Sequence, residues 1–137
     1  MDVDAERVMT RAAQFVEAHF KDLLQAMPDG VVVVDGGGDI VFSNAQADML
    51  FGYAAGALRG KPVETLLPAR FRGTHAGHRA HYFAQPHRRS MGLGLELFGL
   101  RQDGSEFPVE ISLSMLRTEV GDLAMSAIRD ITERKKA

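Results

Sequence analysis

The stretch Gly99-Leu100-Arg101-Gln102-Asp103-Gly104-Ser105-Glu106-Phe107-Pro108-Val109-Glu110-Ile111-Ser112-Leu113-Ser114 decides the fold. Asp103-Gly104 is a hairpin signal, because both residues accept the backbone angles of a tight turn. After it, Phe107, Val109, Ile111 and Leu113 alternate with Glu106, Pro108, Glu110 and Ser112. A period of two gives a strand with one dry face and one wet face. The spacing predicts a strand over Ser105–Leu116 that pairs back on a strand over Ser90–Leu100. Gly92 and Gly94 lie inside the latter, where glycine marks a bulge or the close approach of a ligand or another backbone.

Downstream, Gly121-Asp122 predicts a turn and Leu123–Arg129 a final strand. Asp130-Ile131-Thr132-Glu133-Arg134 leads into a charged tail, read as the start of a helix. Upstream, residues 69–84 predict a helix rich in His and Arg, ended by Pro86. Before it, Gly30-Val31-Val32-Val33-Val34-Asp35 and Ile40-Val41-Phe42-Ser43 read as two strands joined at Gly36-Gly37-Gly38-Asp39, a turn that glycines permit. Asn44 is placed to cap a short helix over Ala45–Phe51, broken at Gly52-Tyr53. Ala54–Leu58 and Val63–Leu67 read as short helical turns.

Residues 4–27 predict one amphipathic helix. Val8, Ala12, Phe15, Val16, Phe20, Leu23, Leu24 and Met27 recur at spacings of three and four, and Pro28-Asp29-Gly30 stops it. Such a stripe is not stable in water alone. It packs on its own sheet or on a second copy.

The order helix, two strands, short helices, three strands is an α+β arrangement around an antiparallel sheet. A chain of 137 residues, 45% apolar and 25% charged, suits one domain with one core. A net charge of −2 lacks the positive excess that nucleic-acid binding requires. No apolar run approaches a membrane span and no signal segment opens the chain, so a cytoplasmic location without direct membrane contact is expected. The absence of cysteine excludes disulfides and thiolate-bound metals. No paired carboxylates and no nucleophile beside a histidine stand in a recognisable motif, so no catalysis is expected of this segment.

Taken in order, Ser43-Asn44-Ala45, Phe51-Gly52-Tyr53, Asp103-Gly104-Ser105-Glu106-Phe107-Pro108 and Asp130-Ile131-Thr132 resemble the bacterial signalling type of PAS domain (PAS/PAC) over about residues 22–134. The resemblance implies a five-stranded antiparallel sheet with short helices across one face, preceded here by the amphipathic helix. It divides the chain into a dimerisation helix (1–27), the PAS domain (28–132) and the start of an output linker helix (133–137). PAS domains of this type sense or dimerise. They stand before histidine kinases of two-component systems, cyclases, phosphodiesterases and other outputs. Homodimerisation through Val8, Ala12, Phe15, Val16, Phe20, Leu23 and Leu24 is therefore implied, with signal relay through Asp130, Ile131 and Thr132 to an output domain of the parent protein.

Within that family, Arg70-Phe71-Arg72-Gly73-Thr74-His75-Ala76-Gly77-His78-Arg79-Ala80-His81-Tyr82 resembles the helix of haem-binding FixL-type oxygen-sensor domains. Counted back from Asp103-Gly104, His75 falls on their axial histidine, so the resemblance implies haem b gas sensing with His75 on the iron. Met91, Leu93, Leu95, Ile111 and Leu113 would line the distal side. Leu95 stands where that type has an arginine for bound oxygen, so the distal pocket is apolar and would favour CO and NO. The alternatives are an unidentified small apolar ligand, or no cofactor in a module that only dimerises and relays. Flavin ranks behind haem. The flavin-photoadduct and coumaric-acid classes are excluded for want of cysteine. His75, His78 and His81 also share part of one helix face, but three imidazoles from one helix rarely converge on one ion unaided.

Overall fold

The structure is a computed structural model that describes residues 10–73, 89–91 and 97–136. Helix α1 (Arg11–Gln25) is followed by β1 (Gly30–Val34), β2 (Ile40–Ser43), α2 (Ala45–Phe51), a 3-10 turn (Val63–Leu66), β3 (Arg89–Met91), β4 (Leu97–Leu100), β5 (Glu106–Thr118), β6 (Gly121–Asp130) and α3 (Thr132–Lys136). All pairings are antiparallel, in the order β2-β1-β6-β5, and the fifth position beside β5 is shared by β3 and β4. Residues 69–73 are helical, the described portion of the helix expected over 69–84.

Of the strand expected over Ser90–Leu100, the described residues form two segments, with Met91 opposite Ile111 and Leu97 opposite Val109. Two expectations are corrected. The turn expected at Gly121-Asp122 is formed by Glu119-Val120, and Thr118 pairs with Gly121 across it. The Thr118 hydroxyl fixes this turn, donating to Gly121 O (2.6 Å) and accepting from Val120 N–H (3.1 Å). Helix α1 starts at Arg11 rather than residue 4: Thr10 is non-helical (ψ 160°) and its hydroxyl accepts from Ala13 N–H at 3.1 Å, an N-cap.

The sheet separates two apolar layers. On the inner face Val32, Val34, Ala124, Ile128, Phe107 and Val109 pack with Ala47 and Phe51 of α2 and with Leu58 and Leu66. On the outer face Val31, Val33, Val41 and Leu123 pack with Ala13, Val16 and Leu24 of α1. The N-terminal helix thus lies on its own sheet. It uses only part of its stripe there: Val16 and Leu24 are buried, Ala12, Phe15 and Phe20 are half-buried, and Leu23 is 65% exposed.

Asn44 joins the layers. Its Oδ1 accepts from Val31 N–H (2.8 Å) and from Ala47 N–H (2.9 Å), while Nδ2 donates to Leu24 O (2.8 Å) and Asp29 O (3.1 Å). The expected cap of α2 is present, and the same fully buried amide closes the C-terminal end of α1 and the entry to β1. Gly52, with φ of +76°, ends α2 in the left-handed conformation that favours glycine.

Candidate functional site

The inner face of β5 carries the row Val109, Ile111, Leu113 and Met115. Val109 is buried, whereas Ile111, Leu113 and Met115 are half-buried against the core. Across the ladder Ile111 faces Ile128, Leu113 faces Ser126 and Met115 faces Ala124. The row is an apolar wall of the kind a flat hydrophobic ligand needs, with the small polar Ser126 in it. Of the other expected pocket residues, Met91 is set opposite Ile111 by the register of β3. His75, Leu93 and Leu95 lie outside the described residues, as does Val8 of the expected dimerisation stripe.

The helix expected to carry His75 is fastened at its start. Arg70 makes a two-pronged contact with Glu106, both distances 2.8 Å, and its guanidinium lies 4.6 Å from the Phe71 ring and 5.7 Å from the Phe98 ring. This contact holds the Glu106 carboxyl below its ordinary range. Arg72 Nε donates to Glu64 O and Leu67 O, both at 3.0 Å, closing the end of the 3-10 turn.

The expected relay residues meet at the end of β6. Asp130 Oδ1 accepts from Thr132 N–H (2.8 Å) and from the Thr132 hydroxyl, an i to i+2 turn at the start of α3, and Ile131 N–H donates to Pro108 O (3.1 Å). Arg101 stands 3.8 Å from Asp130 Oδ2 and also lies 4.3 Å from the Phe107 ring centroid. Phe107 meets Phe51 edge to face at 5.2 Å, and Gln102 N–H donates to Phe51 O at 2.8 Å. Arg134 of α3 reaches Glu110 of β5 at 3.1 Å. A contiguous set of contacts therefore runs from α2 in the core, through the β4–β5 hairpin, to the end of β6 and the start of α3.

Sequence reasoning missed Asp48 and Arg59, and read Arg101 and Phe51 only as parts of fold-bearing stretches, Gly99–Ser114 and Phe51-Gly52-Tyr53. Arg101 stands two residues before the Asp103-Gly104 turn, and that adjacency was the one available signal. Asp48 is buried in the first turn of α2 and accepts from Ser43 Oγ–H at 2.6 Å. Burial pushes its carboxyl up, against opposing help from Ser43, the Gly56 amide and the charge of Arg59. Among the described residues, no three His, Asp or Glu side chains group as metal ligands, and no helix is long and apolar enough to cross a membrane. His78 and His81 lie outside those residues.

Comparison with known proteins agrees with this architecture. Residues 18–131 match the PAS fold family. The sensor protein FixL of Bradyrhizobium diazoefficiens is 28% identical over 136 residues, covering 99% of this chain and 27% of that protein. The oxygen sensor protein DosP of Escherichia coli is 25% identical over 122 residues, covering 89% of this chain and 15% of that protein. The PAS domain of a Desulfitobacterium hafniense protein superposes with a TM-score of 0.69 at 18% identity, covering 80% of this chain and 99% of that one. The chain thus spans only 15% to 27% of the length of those two sensor proteins.

Proposed function

The chain belongs to the PAS family, and on that premise we propose that it is the sensory and relay domain of a larger cytoplasmic signal-transduction protein. A small apolar ligand would sit against Ile111, Leu113 and Met115, and its arrival would reach the output end through the β4–β5 hairpin. The observation that carries this reading is the connection Phe51–Phe107–Arg101–Asp130, which ties the inner core to the start of α3. Packed interiors shift between discrete arrangements rather than yielding continuously, so a displacement of Phe107 is passed to the guanidinium stacked on it. An output domain of kinase, cyclase or phosphodiesterase type would receive the signal from α3.

The specific form of this reading is a haem b gas sensor. The apolar row Ile111, Leu113 and Met115 fits one side of a porphyrin, and His75, matched to the axial histidine of the FixL-type domains the chain resembles, would hold the iron. When bound, the iron supplies reversible binding of a diatomic gas. The residues of this chain exclude water from the site and transmit the change. A second reading, a cofactor-free homodimerisation module, is favoured by the outward side of α1, where Leu23 is exposed and Phe15 half-buried.

Absorbance spectroscopy after addition of hemin and dithionite separates them. A Soret band that shifts with CO and disappears in His75→Ala is the expected result for the haem form. A flat visible spectrum rejects haem and leaves either a colourless small apolar ligand or the cofactor-free module, the latter checked by the molar mass of the domain in solution.

A further inference from the structure

Between Asp122 and Asp130, the inner face of β6 carries Ala124, Ser126 and Ile128. Ala124 and Ile128 are buried in the core, and Ser126 between them is half-buried. The ladders set Ser126 opposite Val32 of β1 on one side and opposite Leu113 of β5 on the other. Residues opposite one another in a ladder share a face and stand about 5 Å apart. Ile128 faces Ile111 and Ala124 faces Met115, so these two β5 residues are the diagonal neighbours of Ser126. A hydroxyl is thus placed in the middle of the apolar wall.

Nothing in the fold uses that hydroxyl. The Ser43 hydroxyl donates to Asp48 Oδ1 and the Ser105 hydroxyl to Asp103 Oδ1, both at 2.6 Å. Ser126 makes no side-chain hydrogen bond among the described residues. It stands inside a strand that is paired on both sides, where it serves neither a turn nor a cap. Alanine or valine would complete this layer of the core without a polar atom to satisfy. Because Ser126 is only half-buried, a molecule lying against Leu113 can reach it.

We propose that Ser126 is the polar anchor of the apolar site. The ligand it selects has an apolar body that lies against Ile111, Leu113 and Met115, and one hydrogen-bonding oxygen, a hydroxyl or a carbonyl, that meets Ser126 Oγ. A serine hydroxyl both donates and accepts, so it takes either group. A pure hydrocarbon of the same shape would displace water from Ser126 and leave the hydroxyl unpaired, which counts against it. This inference rests on the reading that an apolar ligand occupies the wall, and adds the chemistry that the ligand must carry.

The test uses 2-naphthol and 2-methylnaphthalene, probes of one shape in which a methyl replaces the hydroxyl. Each is titrated into the full chain and followed through the amide chemical shifts of β1, β5 and β6. The shifts should centre on Leu113 and Ser126. Ser126→Ala should weaken 2-naphthol by about fivefold to tenfold, the range for one hydrogen bond, and leave 2-methylnaphthalene within about twofold. Ser126→Val, which adds bulk where the hydroxyl stood, should weaken both. If both probes shift Leu113 and Ser126→Ala leaves the ratio of their affinities unchanged, the anchor is overturned while the apolar-ligand reading stands. If neither probe shifts the wall of the parent chain, that reading fails and the anchor falls with it.

Discussion

Replacing Asn44 tests the architecture at its most connected point. Asn44→Ala removes four hydrogen bonds of 2.8–3.1 Å around a fully buried site, leaving the Val31 and Ala47 N–H groups and the Asp29 carbonyl without the amide and Leu24 O with its 3.3 Å bond from Met27 N–H. Loss of the α2 cap alone costs about 1 kcal/mol. With about 1 kcal/mol for each of the other main-chain groups, less what an entering water restores, the total is about 3–4 kcal/mol. That is a large share of the ~5–15 kcal/mol that holds a domain together. In urea, at a slope of about 2 kcal/mol/M, the midpoint should fall by about 1.5–2 M. Asn44→Asp separates the two halves of the amide. It keeps an acceptor for Val31 and Ala47 but turns a carboxylate oxygen on the carbonyls of Leu24 and Asp29. It should cost about 2 kcal/mol, with faster exchange at the end of α1 and an unaltered α2. A loss below about 1 kcal/mol for Asn44→Ala, or an aspartate variant as stable as the parent, would refute the claim that this amide joins the layers.

Gly99→Ala should fold with a melting temperature lowered by a cost of about 1–3 kcal/mol, because its Cβ would stand 2.9 Å from ring carbons of both Phe51 and Phe107. A thermal melt identical to the parent would show that this ring pair yields freely. Asp48→Asn and Glu106→Gln should tilt the pH dependence of stability in opposite senses. Asp48 binds its proton more tightly folded than unfolded, so the parent loses stability relative to Asp48→Asn as pH rises from 3.8 to the raised folded value. Glu106 is the reverse: its contribution is present above 4.5 and lost as pH falls through the lowered folded value. Urea midpoints between about pH 3 and about pH 7 read both slopes, and parallel profiles would remove the assigned causes.

The sequence carried most of the strand and helix pattern because that pattern is local. The β-branched run Val31–Val34, the cap at Asn44 and the alternation from Phe107 to Leu113 each report burial or turn geometry within a few residues. The misplaced elements were those where a neighbour overrides the local signal. The Thr118 hydroxyl moves the last hairpin turn away from its glycine, and the Thr10 cap starts α1 at Arg11. The polar contacts that join the layers were illegible for another reason. Glu17 and Arg59 are 42 residues apart, Asn44 and Leu24 are 20 apart, and Arg101 meets Asp130 from another hairpin. In a sequence such residues resemble ordinary surface charges and caps, and their partners emerge only with the topology.

Helix α1 shows what that difference means for pairing between copies. Its stripe reads as one apolar surface, from Val8 to Leu24, but the fold divides it. Val16 and Leu24 are committed to the sheet, and each buried side chain of that size is worth about 1.5–3 kcal/mol. A second copy that needed them would first have to break the Glu17–Arg59 pair, the Asn44 bond to Leu24 and the Gln25 bond to Ala45 N–H. Leu23 and Phe15 lie on the side left outward, and Phe15 stacks on His19 at 4.3 Å between ring centroids. Pairing through that side leaves the sheet contact intact, so the two faces of α1 are separable by mutation. Leu23→Glu acts on the outward face alone, whereas Val16→Ala opens a cavity against Val31, Val33 and their neighbours. A homodimer that Leu23→Glu dissociates while the melting temperature holds would place the second copy on the outward face. A dimer indifferent to Leu23→Glu would have to be built from the sheet side, with α1 displaced.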